Sequence, residues 1–466
     1  MKKRILLILI TISTLGVACF DDLDDTIQTS SNSAIGDFIY RGLNYFYLYK
    51  SATPELADDY FTDQNELNSF LDSFENPRET FDFLIAPQDR FSVLVNDYNE
   101  LENALNGITL SNGMEFGLVR YPYESTNLFG YVRYVLPNTD AATKGIQRGM
   151  LFNTINGQQL TDTNYLSLIS LDNYEIGLAT LNDETIVPTG ERIELVKQEY
   201  TEDPIYIAET LEIEGQKIGY LMYNAFTRDF DTSLNSVFAQ FKAEGIADLI
   251  LDLRYNGGGS VETAVDLSSM ITGQFNNQLF ANEFWNDDRQ NVYANPILFN
   301  DKIFTGELIN SLNLNKVYIL TTNSSASASE LVINCLKPYI EVKQIGDRTR
   351  GKYQASFLLY DAPAPNFSKS QANPGHNYAM LPLVFKTSNR DGNTDYDDGL
   401  FPDIPLNEDY TNLGILGDIN EPLLAAAINN LYSFTQPQKR NNIEFKEFSN
   451  SKKLSPIYQK MIKENP

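Results

Sequence analysis

The feature that most constrains the fold is an alternation of apolar runs with helical patterns in the second half of the chain. Residues 217–223, 247–254 and 316–321 predict buried strands, while residues 230–244 and 327–335 show the apolar spacing of helices. Strands that alternate with helices usually form a largely parallel sheet that is covered by those helices. The second half is therefore predicted to be an α/β domain.

Charge and composition narrow the possible functions. The 466 residues include 35 Lys and Arg against 62 Asp and Glu, so the net charge of −27 disfavours nucleic acid as a partner. Hydrophobic residues make up 42% of the chain, as in globular proteins. His376 is the single histidine, which disfavours a His-rich zinc site and a histidine-based triad. We expect no metal and no cofactor, and chemistry based on carboxylates, lysines or hydroxyls.

The N-terminus has the pattern of an export signal. Basic side chains occupy residues 2–4, residues 5–17 are mostly apolar, and the small Ala18 precedes Cys19. The apolar run is short for a membrane span, and its end resembles a bacterial lipobox, which implies that Cys19 carries a lipid anchor. An ordinary secretory signal with an incidental cysteine is the alternative. The polar, acidic residues 20–34 predict a solvated tether.

Two further regions precede the α/β half. Residues 35–105 show helical spacing and carry no chemical constellation. Residues 113–119 and 130–135 alternate as β-strands, and a later strand runs into the hairpin pair Asn156-Gly157. This segment resembles a PDZ domain, which implies capture of a peptide as an added strand. The resemblance implies that the peptide-binding residues are Gly113, Phe116, Gly117 and Leu118. A β domain used for packing is the alternative.

Three features of the second half carry chemistry. A predicted strand ends in a glycine turn at residues 257–259, whose backbone N–H groups suit an oxyanion, although a tight turn is equally compatible. Ser327 opens a predicted helix within a run of small residues. Ser327 and Glu330 also fit a capping box, which is the structural alternative. Lys352 follows a glycine, and on its own it would be interpreted as a surface lysine.

Taken together, these features resemble the carboxyl-terminal processing peptidases, also called tail-specific proteases. The family's Asp-Leu-Arg-x-Asn-x-Gly-Gly is similar to residues 252–259, and its Ser-Ala-Ser-Ala-Ser-Glu to residues 325–330. Its Gly-Lys corresponds to residues 351–352 and its late Gly-x-x-Pro-Asp to residues 399–403. Gly257 stands where proline is common. The resemblance spans residues 113–431.

The resemblance implies a serine endopeptidase. Ser327 would be the nucleophile and Lys352, once desolvated, the base, with the N–H groups of Gly258 and Ala328 as the oxyanion hole. The family commonly places a glutamine four residues after the lysine, where this chain has Ser356, so Gln354 is the alternative support for the lysine. A peptidase fold that has lost activity and binds peptides is an alternative function, and a structural envelope lipoprotein is another.

We therefore predict a multidomain α/β protein that acts on proteins or peptides in the cell envelope, most simply as an outer-membrane lipoprotein on its periplasmic or outer face. The predicted divisions are a signal peptide (1–19), a tether (20–34), a helical region (35–105), a PDZ-like domain (106–198), a tail-specific peptidase domain with a ClpP/crotonase-like core (199–435) and a C-terminal tail (436–466), which is expected to be a loosely attached helix or disordered.

Overall fold

The computed structural model describes residues 30–122, 126–182, 185–432, 445 and 447–464. The predicted signal peptide and Cys19 lie outside these residues. Within the described ranges, no helix combines the length and apolar character needed to cross a membrane.

The N-terminal region is helical, as its spacing predicts. Its first helix begins at Asn32, inside the predicted tether, because the Ser31 side chain caps it by accepting from the Ala34 N–H at 3.2 Å. The elements are α1 (Asn32–Phe46), α2 (Gln64–Leu71), α3 (Pro77–Leu84), β1 (Val93–Val95) and α4 (Tyr98–Leu105). Phe38, Ile39 and Phe46 of α1 lie in the same apolar core as the α/β domain, so this region packs directly on it.

A β domain follows. It contains β2 (Ile108–Ser111), β3 (Met114–Arg120), β4 (Leu128–Val135), α5 (Asp140–Thr143), β5 (Leu151–Ile155), β6 (Gln158–Gln159), α6 (Tyr165–Ile169), β7 (Asn173–Asn182), β8 (Thr185–Val196) and β9 (Gln198–Thr201). The predicted hairpin joins β5 to β6, with φ of 51° at Asn156 and 73° at Gly157. Strands β3, β4, β5, β7 and β8 follow one another across an antiparallel sheet.

The α/β domain carries a largely parallel sheet in the order β10, β11, β12, β16, β17, β22, in which β10 runs antiparallel to β11. The elements of the domain up to the site are β10 (Ile205–Ile213), β11 (Gln216–Tyr223), α7 (Asp231–Glu244), β12 (Asp248–Asp252), β13 (Gly259–Ser260), α8 (Val261–Thr272), β14 (Leu279–Trp285), α9 (Asp287–Tyr293), β15 (Ile297–Leu298), β16 (Lys316–Thr321) and α10 (Ala328–Leu336). The remaining elements are β17 (Glu341–Gly346), β18 (Gln354–Ser356), β19 (Leu359–Tyr360), β20 (Ala379–Leu381), β21 (Leu383–Asn389), β22 (Ile404–Pro405) and α11 (Pro422–Tyr432).

The C-terminal tail differs from the prediction. Residues 447–464 are ordered against the rest of the chain and form β23 (Glu447–Asn450) and β24 (Met461–Ile462). Strand β23 extends the sheet of the β domain, and β24 lies between β13 and β18 in a second mixed sheet. The expectation of a loose tail was wrong for these residues. It was based on the lysine-rich composition, whereas apolar residues of the tail such as Phe448 and Met461 pack on other elements.

Candidate active site

The site lies at the carboxyl ends of two neighbouring parallel strands, β12 and β16. Hydrogen bonds join the loops that follow them: Ser325 Oγ donates to the Leu253 carbonyl at 2.8 Å, and Ser329 Oγ donates to the Asn256 carbonyl at 3.0 Å. The fully buried Arg254 anchors the first loop, since its guanidinium pairs with Glu421 Oε1 at 2.5 Å. The glycine turn and the start of α10 are therefore held side by side.

Ser327 precedes α10 in a strained backbone conformation. Its φ is 65° and its ψ is −116°, which costs a non-glycine residue about 1–3 kcal/mol and is common at functional sites. Its Oγ is fully buried and has no hydrogen-bond partner among the described residues. The hydroxyl is thus held in place by the backbone while remaining free to react.

Glu330 connects Ser327 with the loop that carries Lys352. Its Oε2 accepts from the Ser327 N–H at 2.7 Å and from the Lys352 N–H at 2.8 Å, while its Oε1 accepts from the Gly351 N–H at 2.7 Å and from Thr349 Oγ1 at 2.5 Å. Burial raises the pKa of Glu330, and these four donors oppose that rise. One carboxylate oxygen therefore fixes the backbones of both predicted catalytic residues.

Lys352 is fully buried. Burial lowers the pKa of its ammonium well below the ordinary 10.5, and the positive charge of Lys460 lowers it further, while Asp89 and Glu330 act in the opposite direction. The Nζ donates to the main-chain carbonyl of Gln354 and lies 5.5 Å from the centre of the Phe91 ring. This environment favours a neutral amine, as a lysine base requires.

Neither side chain predicted to support the lysine is hydrogen-bonded to its Nζ among the described residues. The Gln354 side chain donates from Nε2 to the Tyr49 hydroxyl at 3.1 Å, and its carbonyl rather than its amide contacts Lys352. The Oγ of Ser356 is buried and has no partner among the described residues. In this structure the Lys352 Nζ is thus positioned by a backbone acceptor.

The predicted oxyanion donors lie beside the serine. A Cβ placed on Gly258 would lie 2.6 Å from Ser327 Cβ and 2.8 Å from Ser327 Oγ, and the φ of Gly258 is 112°. The Gly258 N–H donates to Asn256 Oδ1 at 2.9 Å. Ala328 is the first residue of α10, where backbone N–H groups have no acceptor within the helix.

The predicted peptide-binding residues lie apart from this centre, in the β domain. Gly113 precedes β3, and Phe116, Gly117 and Leu118 belong to that strand, with the side chains of Phe116 and Leu118 in the core of the domain. The edge of β3 is paired with β23 of the same chain. The edge that the PDZ resemblance assigns to a peptide thus already carries a strand.

Sequence reasoning missed several neighbours of the lysine. Tyr49, Asp89 and Phe91 come from the N-terminal region, and Lys460 comes from the tail. Glu330 was noticed as a capping residue, but its contact with the Lys352 loop was not. The glycine directly before the lysine, Gly351, whose N–H donates to Glu330, was the available signal that a buried acceptor holds this loop.

Two family models match parts of the chain that contain residues of the site. Residues 217–361 match the model of peptidase family S41, and residues 34–93 match the model of the peptidase S41 N-terminal domain. The first match contains Ser327 and Lys352, and the second contains Tyr49, Asp89 and Phe91.

Curated relatives match part of the chain. The chloroplastic C-terminal processing peptidase of Tetradesmus obliquus is 24% identical over 231 residues, which cover 46% of this chain and 46% of that protein. A probable CtpA-like serine protease of Staphylococcus epidermidis is 29% identical over 150 residues, which cover 32% of this chain and 28% of that protein. The chain spans less than half the length of these relatives.

Solved structures share the fold. A structure assigned to an S41 protease of Bacteroides fragilis is 27% identical, with a TM-score of 0.64 over 86% of this chain and 98% of that one. The photosystem II D1 C-terminal processing protease shares the fold, with a TM-score of 0.51 and 19% identity over 84% of this chain and 96% of that one.

A strained, buried serine directly before α10 and a desolvated lysine whose N–H shares a Glu330 oxygen with the serine N–H form the arrangement expected of a serine-type peptidase. The matches at residues 34–93 and 217–361, with the shared fold, support a relationship to peptidase family S41, and the chain is similar to the C-terminal processing peptidases among the relatives. The resemblance that its four motifs indicated is confirmed.

Proposed function

We propose that this chain is a serine endopeptidase in which Ser327 is the nucleophile and Lys352 the general base. The observation that carries the proposal is the pairing of a strained, buried serine whose Oγ has no hydrogen-bond partner with a fully desolvated lysine, both tied to the Glu330 carboxylate. A structural envelope lipoprotein would not require this combination of a strained serine and a desolvated lysine.

The reaction follows from the placement of these groups. The Lys352 amine takes the proton of the Ser327 hydroxyl as Oγ forms a bond to the substrate carbonyl carbon, and the resulting oxyanion is bound by the N–H groups of Gly258 and Ala328. The ammonium then returns the proton to the leaving amine as the peptide C–N bond breaks, and water hydrolyses the acyl-enzyme. Before the first step, Nζ turns from the Gln354 carbonyl toward Oγ, and the Gly258 N–H exchanges Asn256 for the oxyanion.

Substrate class and location complete the proposal. We infer that the substrates are proteins or peptides of the cell envelope, because the N-terminal pattern is that of an exported lipoprotein anchored through Cys19. The β domain, with its PDZ-like β3 edge, serves to bind substrate C-termini or to regulate access, and processing at a C-terminus is the activity that the names of the relatives suggest.

The test compares hydrolysis of fluorescent casein by the wild type, Ser327→Ala and Lys352→Arg. Arginine keeps the positive charge but cannot lose its proton, so both variants are expected to be inactive. The melting temperature of Ser327→Ala should match that of the wild type, since Oγ makes no hydrogen bond. Equal activity in the wild type and Ser327→Ala would exclude this nucleophile. Folded but inactive wild type that still binds peptides would instead favour a binding protein.

A further inference from the structure

The C-terminal residues 447–464, here called the tail segment, run through two grooves of the molecule. Strand β23 pairs antiparallel with β3, the edge that was predicted to bind peptides. Strand β24 pairs with β13, directly after the Gly258 turn, and with Ser356 of β18, shortly after Lys352. The same segment thus reaches both the β domain and the active site.

In the first groove the tail segment is bound as an added strand. Asn450 lies opposite Gly117, and the Phe116 N–H donates to Ser451 Oγ at 3.2 Å. The Phe448 ring packs edge-on against Tyr165 of α6, with 5.6 Å between ring centres, so the segment lies between a strand edge and a helix. Strand addition with a side chain anchored beside it is a general mode of peptide recognition.

In the second groove the tail segment reaches the nucleophile. The Gly259 N–H donates to the Lys460 carbonyl at 2.8 Å. A Cβ placed on Gly258 would lie 2.7 Å from that carbonyl oxygen and 2.8 Å from Ser327 Oγ, so both groups border the same small space. The main chain of residues 460–461 therefore fills the space in which an extended substrate would have to lie to bring its carbonyl group close to Ser327.

The tail segment is held by two short strands and by ion pairs of Glu447 with Arg133, of Lys452 with Glu202 and of Lys463 with Glu283. Its two strands are four and two residues long, and Phe448 and Leu454 are 38% and 46% exposed. Lys460 is buried and its Nζ donates to the Phe91 carbonyl, without a salt bridge to a carboxylate of the described residues. Burial lowers the pKa of Lys460 to about 8, which means that docking of this lysine is opposed by the loss of hydration. A cavity of about 690 Å³ lies between β3, the Gly257–Gly258 turn and the turn of the tail segment.

We propose that the tail segment is a built-in peptide ligand that occupies both grooves in the resting protein, and that an extended stretch of a protein substrate must displace it before cleavage. The inference rests on the proposed peptidase function for its inhibitory consequence, whereas occupancy of the grooves does not depend on activity. The substrate class that follows is protein with an unfolded or extended terminal segment, since such a stretch can replace β23 and β24.

The test uses the full chain with Phe448→Asp in the first groove and Met461→Asp in the second, and Leu308→Asp, 69% exposed and outside the tail segment, as the control with the same chemical change. The released state of such an equilibrium commonly holds about a tenth of the molecules or less, so both groove variants should raise kcat/KM on fluorescent casein about tenfold. Leu308→Asp should equal the wild type in kcat/KM. A synthetic peptide of residues 447–464 should restore inhibition of Phe448→Asp, and the same peptide with aspartate at 448 and 461 should not.

Hydrogen exchange provides a readout that is independent of catalysis. In each variant combined with Ser327→Ala, the amides of β3 and of residues 257–260 should exchange faster than in Ser327→Ala alone, because Phe116 and Gly259 lose their tail acceptors. Unchanged exchange in folded variants overturns the occupancy. If exchange is faster in the variants but casein is cleaved no faster than by the wild type, the proposal that the tail segment inhibits cleavage is overturned. If every protein is inactive, the peptidase assignment has failed, and exchange alone upholds or overturns the occupancy.

Discussion

Replacing Gly258 by alanine is expected to disable the active site, whereas the same change at the neighbouring Gly257 is expected to be nearly silent. The added methyl group at Gly258 would lie 2.6 Å from Ser327 Cβ and 2.7 Å from the Lys460 carbonyl oxygen, closer than real Cβ contacts. At Gly257 the nearest atom is the Gln459 nitrogen at 3.5 Å, an ordinary van der Waals distance. The same added methyl group thus causes a steric conflict at position 258 and is tolerated at position 257.

The size of the effect follows from two contributions. A φ of 112° is a conformation that L-residues rarely adopt, so alanine at 258 costs about 1–3 kcal/mol of strain. Relief of the contacts displaces Ser327 or the Gly258 N–H, and loss of one oxyanion donor commonly reduces kcat about 100-fold or more. We expect kcat/KM to fall about 100-fold for Gly258→Ala and to stay within about twofold of wild type for Gly257→Ala.

The assay is kcat/KM on fluorescent casein, together with melting temperatures of the wild type and both variants. Strain of about 2 kcal/mol should lower the melting temperature of Gly258→Ala by a few degrees without preventing folding. Full activity and an unchanged melting temperature in Gly258→Ala would refute the packing argument. A loss in Gly257→Ala as large as in Gly258→Ala would show that general disruption of the turn, rather than contact with Ser327, is responsible.

Two further predictions concern pH. Because burial lowers the pKa of Lys352, the neutral amine should form as pH rises, and kcat/KM should increase along an acid limb centred well below pH 10.5. Lys460→Gln removes a positive charge that lowers this pKa, so it should move the limb to higher pH. A limb near pH 10 in the wild type would contradict the assignment of Lys352 as the base. Burial also raises the pKa of Asp231 to about 7, above its ordinary 3.8, so the folded protein binds more protons than the unfolded chain and stability should fall as pH rises from about 4 to 7. Asp231→Asn should therefore melt a few degrees above the wild type at pH 8 and show a weaker pH dependence in thermal unfolding, and an unchanged profile would count against a protonated Asp231.

The sequence predicts the α/β core because parallel strands leave a clear periodic pattern. Strand β16 was predicted at 316–321 and lies at Lys316–Thr321, and the helix that follows Ser327 begins one residue after it. The same topology brings the Gly258 turn to Ser327, since the carboxyl ends of adjacent parallel strands meet at one edge of the sheet. This part of the site was therefore accessible before any coordinates were known.

The surroundings of Lys352 could not be predicted in this way. Its acceptor is a backbone carbonyl, which has no sequence signature, and Phe91 and Lys460 reach it from opposite ends of the chain. The tail was misjudged because its composition is rich in lysine, whereas it is anchored by strand pairing, by the buried Met461 and by ion pairs of two of those lysines, Lys452 and Lys463. Long-range contacts of this kind follow from shape complementarity rather than from local spacing.

The shared Glu330 oxygen has a mechanical consequence. The N–H groups of Ser327 and Lys352 donate to the same Glu330 oxygen. A tilt of α10, or a shift of the loop that carries Lys352, therefore moves the serine and the lysine together instead of separating them. A movement of the flanking regions that leaves these two hydrogen bonds intact therefore keeps the main-chain spacing between Ser327 and Lys352 constant.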